Sequence, residues 1–288
     1  MTQRALLVIN PTAGGGRAVA AAPIVQDVLR SHGWVVRAIR SRNSDEATRI
    51  AAEADSDEVV ASLGGDGMHA LVARGAVISG ARFAPLPGGR GNDFVRAVGA
   101  PRDPAAAAAA LRVAHERRID LGEVNGAPFL GVVSIGFSAL ASQIAARSRI
   151  PGPLAYHTAA VRTMARVSPF QFDVTIDNRT IHWSGYELAI GMSGWYGGGL
   201  NICPQARLDD GLVDLTFVAT RKRGFAQVMA RAFHGTHIDM PGVATDQGSL
   251  VEVQDVSDGP SLVYADGDPV GTLPVAVRVR PAALRLLA

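Results

Sequence analysis

The sequence predicts an α/β lobe of open, doubly wound type at the N-terminus and an antiparallel β-sandwich lobe at the C-terminus. Three observations carry that reading. Short apolar runs alternate with helical patterns over residues 1–118, the texture then changes to strands punctuated by turns over 119–279, and a chain of 288 residues exceeds the usual single-core domain.

In the first half, Ala5–Ile9 reads as a strand, Val19–Ser31 as a helix, Trp34–Ile39 as a strand and Asp45–Ala54 as a helix. Val59–Leu63, Met68–Ile78, Arg82–Leu86 and Asp93–Val98 repeat the alternation. Apolar strands separated by helices imply a parallel sheet covered on both faces. Asp103 and Pro104 stand before the alanine run Ala105–Ala110 as an N-cap and first-turn pair, so that run starts a helix. Past Arg118, the segments Ile119–Val124 and Phe129–Ser134 flank Asn125-Gly126, whose residues supply the positive φ angles of a type I′ hairpin turn. Helices are expected at Ser138–Arg147 and Ala155–Arg166. Strands are expected at Phe172–Ile176, Ile181–Met192, Val213–Val218, Leu250–Val256, Leu262–Ala265 and Val275–Val279, a spacing typical of a sandwich.

Composition narrows the classes. The apolar fraction of 48% and charged fraction of 19% are those of a globular chain, and no segment has the roughly 18 uncharged apolar residues of a membrane span. Met1–Ile9 passes straight into a strand pattern without a signal-peptide core, so a cytoplasmic location is expected. Cys203 is the only cysteine, which excludes an intrachain disulfide and argues against a thiolate metal site. A net charge of +2 gives no field for nucleic acid. Lys222 is the single lysine among 28 basic residues, and no P-loop string containing lysine occurs. Any phosphate handling must proceed without that lysine.

Three strand ends in the first half run into glycine-bearing loops: Asn10–Arg17, Gly64–Gly67 and Pro87–Asp93. Loops at the carboxyl ends of parallel strands line one crevice, where ligands bind. Glycine lets backbone N–H groups approach an anion, and a following helix N-terminus adds partial positive charge. A nucleotide polyphosphate is the simplest occupant. Asp66 would repel a bare phosphate but suits Mg²⁺ with its water shell, or an arginine. A dinucleotide competes; the second strand, however, ends in Arg40-Ser41-Arg42, with no acid for a ribose hydroxyl, and an NADP reading through Arg42 leaves Gly64–Gly67 without a role.

Asn10-Pro11 with Gly14, Gly64-Gly65-Asp66-Gly67, Pro87 with Gly89, Asn92, Asp93, Phe94 and Arg96, the triplet Gly197–Gly199 with Pro204, Ala206, Asp209, Asp210, Gly211 and Asp214, and Asp266-Gly267-Asp268 occur in that order. Together they resemble the diacylglycerol kinase catalytic family, which includes bacterial soluble lipid kinases and is related to sphingosine kinases. The resemblance runs from about residue 5 to 287. It implies a nucleotide-binding α/β lobe and a lipid-substrate sandwich lobe, with segment 280–288 returning to the first. It implies ATP and Mg²⁺ as cofactors, and transfer of phosphate to a hydroxyl of diacylglycerol or a related lipid. Under it, ATP would be bound by Asn10, Pro11, Thr12, Gly14, Gly15, Gly16, Arg17, Gly64, Gly65, Asp66, Gly67, Met68, Gly89, Arg90 and Asn92. Asp66, Asp93 and Asp120 would form a network around the catalytic Mg²⁺. Asp209, Asp210 and Asp214 match a second, structural Mg²⁺ site, although these acids beside Gly211 also read as a solvated turn. Asp266 matches the general base.

The chain departs from the family pattern at Met68 and Arg90, where threonine is common, and at Leu71, where glutamate is frequent. Met68 removes a hydroxyl, whereas Arg90 adds a cation able to clamp a γ-phosphate. Rival readings are a sphingoid or glycolipid kinase, a degenerate nucleotide- or lipid-binding protein, and an NADP-binding reductase. Arg147, Arg149, Arg162 and Arg166 form either a solvated face or a contact for a peripheral anionic membrane surface. Trp195 and Tyr196 either wall the cleft or fill the sandwich core. A homodimer is left open, and no nucleic-acid partner is expected.

Overall fold

A computed structural model describes residues 3–147, 153–256 and 261–288. The first lobe runs β1 (Arg4–Ile9), α1 (Arg17–Ser31), β2 (Val35–Arg40), α2 (Ser44–Ala52), β3 (Val59–Gly64), α3 (Asp66–Ser79), β4 (Arg82–Pro87), α4 (Asp93–Ala97) and α5 (Pro104–Ala110). Its strands are parallel in the order β2-β1-β3-β4. β3 is buried along its whole length because helices cover both sheet faces: Ala18, Val25 and Leu29 of α1 on one, Ala47 and Ile50 of α2 with Val72 and Ala76 of α3 on the other. The doubly wound expectation therefore holds. The Asp103 carboxylate accepts from Ala106 N at 2.8 Å, and Pro104 opens α5, as the local sequence predicts.

The second lobe contains β5 (Glu116–Val124), β6 (Ala127–Phe129), β7 (Val132–Gly136), α6 (Phe137–Ala146), α7 (Pro153–Arg166), β8 (Phe170–Ile176), β9 (Arg179–Gly185) and β10 (Glu187–Gly191). It continues with β11 (Trp195–Tyr196), β12 (Leu200–Asn201), β13 (Val213–Val218), α8 (Lys222–Ala232), β14 (Val243–Gly248), β15 (Leu250–Asp255), β16 (Leu262–Ala265), β17 (Asp268–Thr272) and β18 (Val275–Leu287). One sandwich layer is β14-β13-β10-β7-β16-β17, and the facing strands β15, β8 and β9 extend from β18. Between the layers lies a core of Phe129, Ile135, Phe172, Val174, Leu188, Leu215, Val253 and Val277. Asn125 and Gly126 have φ of 48° and 82°, which makes the turn between β5 and β6 the expected left-handed one.

Two expectations are corrected. Ile181–Met192 is two strands in different sheets, β9 and β10, because the chain crosses between layers at Gly185-Tyr186. A Cβ at Gly185 would meet Val218 O at 2.5 Å, so only glycine permits that crossing. Helix α8 was not expected: its start, Lys222-Arg223-Gly224, hides the apolar face formed by Phe225, Val228 and Ala232.

β18 joins the lobes. Its first half pairs antiparallel with β15, and its last residues lie parallel beside β4, with Arg285 opposite Arg82 and Leu286 opposite Phe83. β5 follows it on the other side, with a break in register between Arg280 and Leu284. One ten-stranded sheet thereby runs through both lobes.

Candidate active site

The three glycine loops meet, as their positions at parallel strand ends require. Gly88 N donates to Gly64 O at 2.7 Å. A Cβ on Gly89 would meet Gly65 Cα at 2.5 Å, and one on Gly14 would meet Gly88 O at 2.6 Å. These glycines serve loop-on-loop packing. Gly15 and Gly16 differ: at φ of 71° and 95° they face open space, their own N–H groups donate to Thr12 O and Ala13 O at 3.2 and 3.1 Å, and no side chain caps the N–H groups that open α1. Asn10 Oδ1 accepts from Thr12 N and Thr12 Oγ1 at 3.0 and 2.9 Å, which closes the turn at Pro11. Arg17 Nε reaches back to Gly14 O at 3.2 Å. Asn92 braces the third loop through Gly89 N at 2.9 Å, and Arg90 is exposed, with no ion pair among the described residues. Met68 is buried in the core, its side chain beneath Gly64.

Asp66 occupies the first turn of α3, yet its Oδ1 accepts from Phe94 N at 2.8 Å, so it caps α4 across the crevice. Asp93 Oδ2 accepts from Gly198 N at 2.7 Å, its Oδ1 pairs with Arg96, and the Arg96 guanidinium lies 5.1 Å from the Trp195 ring centroid. The triplet Gly197–Gly199, with φ of 62°, 82° and 130°, is thus the tip of a hairpin from the second lobe resting on the first. Trp195 is half-buried against Arg96 of the first lobe. Tyr196 turns into the sandwich lobe, its hydroxyl 2.8 Å from Ser138 Oγ.

Asp266 enters from the opposite side. Asp266 and Gly267, at φ of 51° and 87°, form the two-residue turn between β16 and β17. The Asp266 carboxylate accepts from Leu130 N at 2.9 Å and Gly131 N at 2.8 Å. Burial pushes its pKa up to about 7, with the charge of Asp66 acting in the same direction. Asp268 is a residue to which sequence reasoning gave no role. Its carboxylate lies so close over Gly67 that a Cβ there would overlap it. Burial and then Asp66 raise its pKa, and among the described residues it has no hydrogen-bond donor. The signal was available in the spacing Asp-Gly-Asp, since the acids of a tight hairpin turn flank one edge. Burial likewise raises Asp66, and burial with Asp66 raises Asp93.

Asp120 stands apart from this convergence. Its oxygens accept from Ala282 N at 2.6 Å and Gly211 N at 2.7 Å, so it clamps the bend of β18 to the Asp209–Gly211 turn. Asp209 is exposed and 3.4 Å from Arg207, while Asp210 Oδ1 accepts from Leu212 N at 3.1 Å. Asp214 is buried: Oδ1 accepts from Gln247 Nε2 at 3.0 Å, Oδ2 has no partner, and Asp210 acts on it electrostatically. Among the described residues no three His, Cys, Asp or Glu side chains lie close enough to hold a metal ion by themselves. Arg147 and Arg162 are exposed; Arg149 and the Arg166 side chain lie outside the described residues.

Fold and site together define a two-lobed protein in which three glycine loops of the first lobe meet carboxylates from both lobes. Residues 4–124 match the diacylglycerol kinase catalytic domain, and residues 131–288 match the YegS C-terminal NAD kinase beta sandwich-like domain. A Mycobacterium tuberculosis diacylglycerol kinase is 32% identical over 290 residues, covering 96% of this chain and 93% of that protein. A probable lipid kinase YegS-like protein of Pseudomonas putida is 32% identical, covering 90% and 87%. The crystal structure of a diacylglycerol kinase from Bacillus anthracis superposes with a TM-score of 0.74 at 19% identity, covering 99% and 96%, which shows the shared fold. The chain belongs to the diacylglycerol kinase and YegS-like lipid kinase family. It is a lipid kinase of that family.

Proposed function

We propose that the protein transfers the γ-phosphate of ATP to a hydroxyl of diacylglycerol or a closely related lipid. The observation that carries this reading is the convergence of Asp66, Asp93, Asp266 and Asp268 on one cleft beside the open turn Gly15-Gly16. Asp66 raises the pKa of Asp93, Asp266 and Asp268, which favours a cation there, and the uncapped N–H groups at the start of α1 favour an anion; a magnesium nucleotide brings both. When bound, Mg²⁺ would supply charge neutralisation at the phosphates.

The protein's own residues carry the remaining work. The N–H groups at the start of α1 would bind phosphate oxygens, the open glycine turn would leave room for them, and Arg90 would add a cation. Asp66 and Asp93 would hold the metal together with water. Leu130 N–H and Gly131 N–H orient Asp266, whose second oxygen lone pairs accept the lipid hydroxyl proton. Asp268, with no donor of its own, is the second carboxylate within the same turn, and its free oxygens favour a reading in which it shares that proton. The orphaned Asp214 Oδ2 beside Asp210 suits a second, structural cation, completed by water. Lipid would enter between the lobes from an anionic membrane surface contacted by Arg147 and Arg162.

Radiolabelled ATP offered with a lipid panel tests the activity and the acceptor. Label should pass to diacylglycerol, or to a sphingoid or glycolipid if one of these is the acceptor; failure with every lipid while ATP binds favours a binding protein. Asp266→Asn should lower kcat by about 10²- to 10⁴-fold, and Asp268→Asn, measured beside it, shows which carboxylate takes the proton. Binding to anionic vesicles should weaken as added salt shortens the screening length below about 8 Å, and equal binding to neutral vesicles removes the arginine contact.

A further inference from the structure

Glu187 is a buried acid that the reaction described above does not use. It opens β10, fully enclosed, beneath the first turn of α6. Its Oε2 accepts from Ser138 N at 2.8 Å, which caps the N-terminus of α6. Its Oε1 lies 3.4 Å from the Tyr196 hydroxyl, and that hydroxyl lies 2.8 Å from Ser138 Oγ. Tyr196 ends β11, the strand whose neighbour Trp195 packs on Arg96 and whose hairpin tip donates Gly198 N–H to Asp93. One continuous set of contacts therefore leads from Glu187 to a carboxylate of the cleft.

We infer that Glu187 is a positioning residue for phosphoryl transfer: it anchors Tyr196, and with it the hairpin Trp195–Asn201, so that Gly198 N–H holds Asp93 in place. This rests on the kinase reading for its consequence on turnover, but not for the hairpin's behaviour. The Tyr196 hydroxyl donates to Oε1 and Ser138 N to Oε2, so both oxygens of the buried acid are bound to the elements it joins. Burial pushes the Glu187 pKa up to about 8, while the Ser138 and Tyr196 donors act against that rise. Its strand neighbours, Gly136 of β7 and Val218 of β13, carry no titratable side chain. Replacing the acid with an apolar side chain would strand both donors and release the hairpin root.

Glu187→Gln and Glu187→Leu test this in the full-length protein. Glutamine keeps an acceptor for Ser138 N and a polar partner for Tyr196, whereas leucine removes both. We expect the Gln variant to keep wild-type kcat and the Leu variant to lower kcat by about 10²-fold, the scale of a misplaced reacting geometry. The tryptophan emission that Trp195→Phe removes should match wild type in the Gln variant and shift in the Leu variant. Full kcat or unshifted Trp195 emission in the Leu variant, or a loss of kcat in the Gln variant as large as that in Leu, overturns the inference. Absence of phosphoryl transfer in every protein would defeat the kinase reading instead, and the emission comparison would still decide the role of Glu187.

Discussion

At the scale of single residues, two buried acids hold protons that ordinary acids release. Asp266 and Glu187 have pKa values raised to about 7 and about 8 by burial, above the 3.8 and 4.5 of exposed groups. For Asp266, base catalysis needs the ionised form, so kcat/KM should fall as pH drops below about 7. Asp266→Asn should remove that acid limb together with most of the rate. The substitution tolerates the left-handed turn but leaves one of the Leu130 and Gly131 donors without a good acceptor, at a cost of about 1 kcal/mol. Lowered stability with kcat and the acid limb intact would reduce Asp266 to a turn residue. The same shifts bear on stability. A folded pKa raised above the unfolded one contributes stability that is full below the unfolded pKa and is lost as pH rises through the folded pKa. The unfolding free energy should therefore decline from about pH 4.5 to 8, by a few kcal/mol for Glu187. Denaturant titrations at pH 5 and 8 check this, and Glu187→Gln should flatten the slope.

Among the elements, short contacts between loops decide more than the intrinsic preference of any one of them. Helix α4 has only five residues, Asp93–Ala97, and its own N-cap Asn92 is left-handed with no capping hydrogen bond. The cap comes from Asp66 on another helix. Asp66→Ala should then cost about 1 kcal/mol of stability as well as abolishing turnover, whereas Asp66→Asn keeps an acceptor for Phe94 N and should lose turnover alone. Thermal melts beside kinase assays separate the two effects; full turnover by the Asn variant would take Asp66 out of the site. The glycines divide in the same way. Gly89→Ala would drive its Cβ to 2.5 Å from Gly65 Cα and should destabilise the protein by about 1–3 kcal/mol. Gly16→Ala meets nothing within 4 Å, so its effect should be backbone strain near 1 kcal/mol and a raised KM for ATP.

For the whole molecule, the relation between lobes rests on β18 and the clamp that bends it. The bend falls at Pro281–Ala283, where Ala282 has φ of 48°, a strained value for alanine, and Asp120 accepts from its N–H. The same carboxylate holds Gly211 N, so three distant segments share one acid. Asp120→Ala would take the acceptor from two part-buried donors and should cost about 1–3 kcal/mol, read as a lowered denaturation midpoint. An unchanged midpoint would show that strand pairing alone maintains the crossing. The cleft is fixed by this junction together with the hairpin contact of Gly198 on Asp93.

Periodicity and turn chemistry act over a few residues, and what depends on them was legible in the sequence. The alternation through β4, the Asn125-Gly126 turn, the Asp103-Pro104 start of α5 and the meeting of three glycine loops all follow from local pattern plus the rule for parallel strand ends. The order of motifs carried the family, because each motif is a short string. Contacts between residues far apart in the chain have no local signature, and only the folded structure decided them. Ile181–Met192 reads as one strand, yet it divides between two sheets because Val218, more than thirty residues later, leaves no room at Gly185. Asp66 as the cap of another helix, Asp120 as a clamp on the last strand and Glu187 beneath Tyr196 are pairings of the same kind. Their strength comes from burial, which removes competing water and raises each acid's pKa or demands its partner; burial is a property of the closed fold, not of any segment within it.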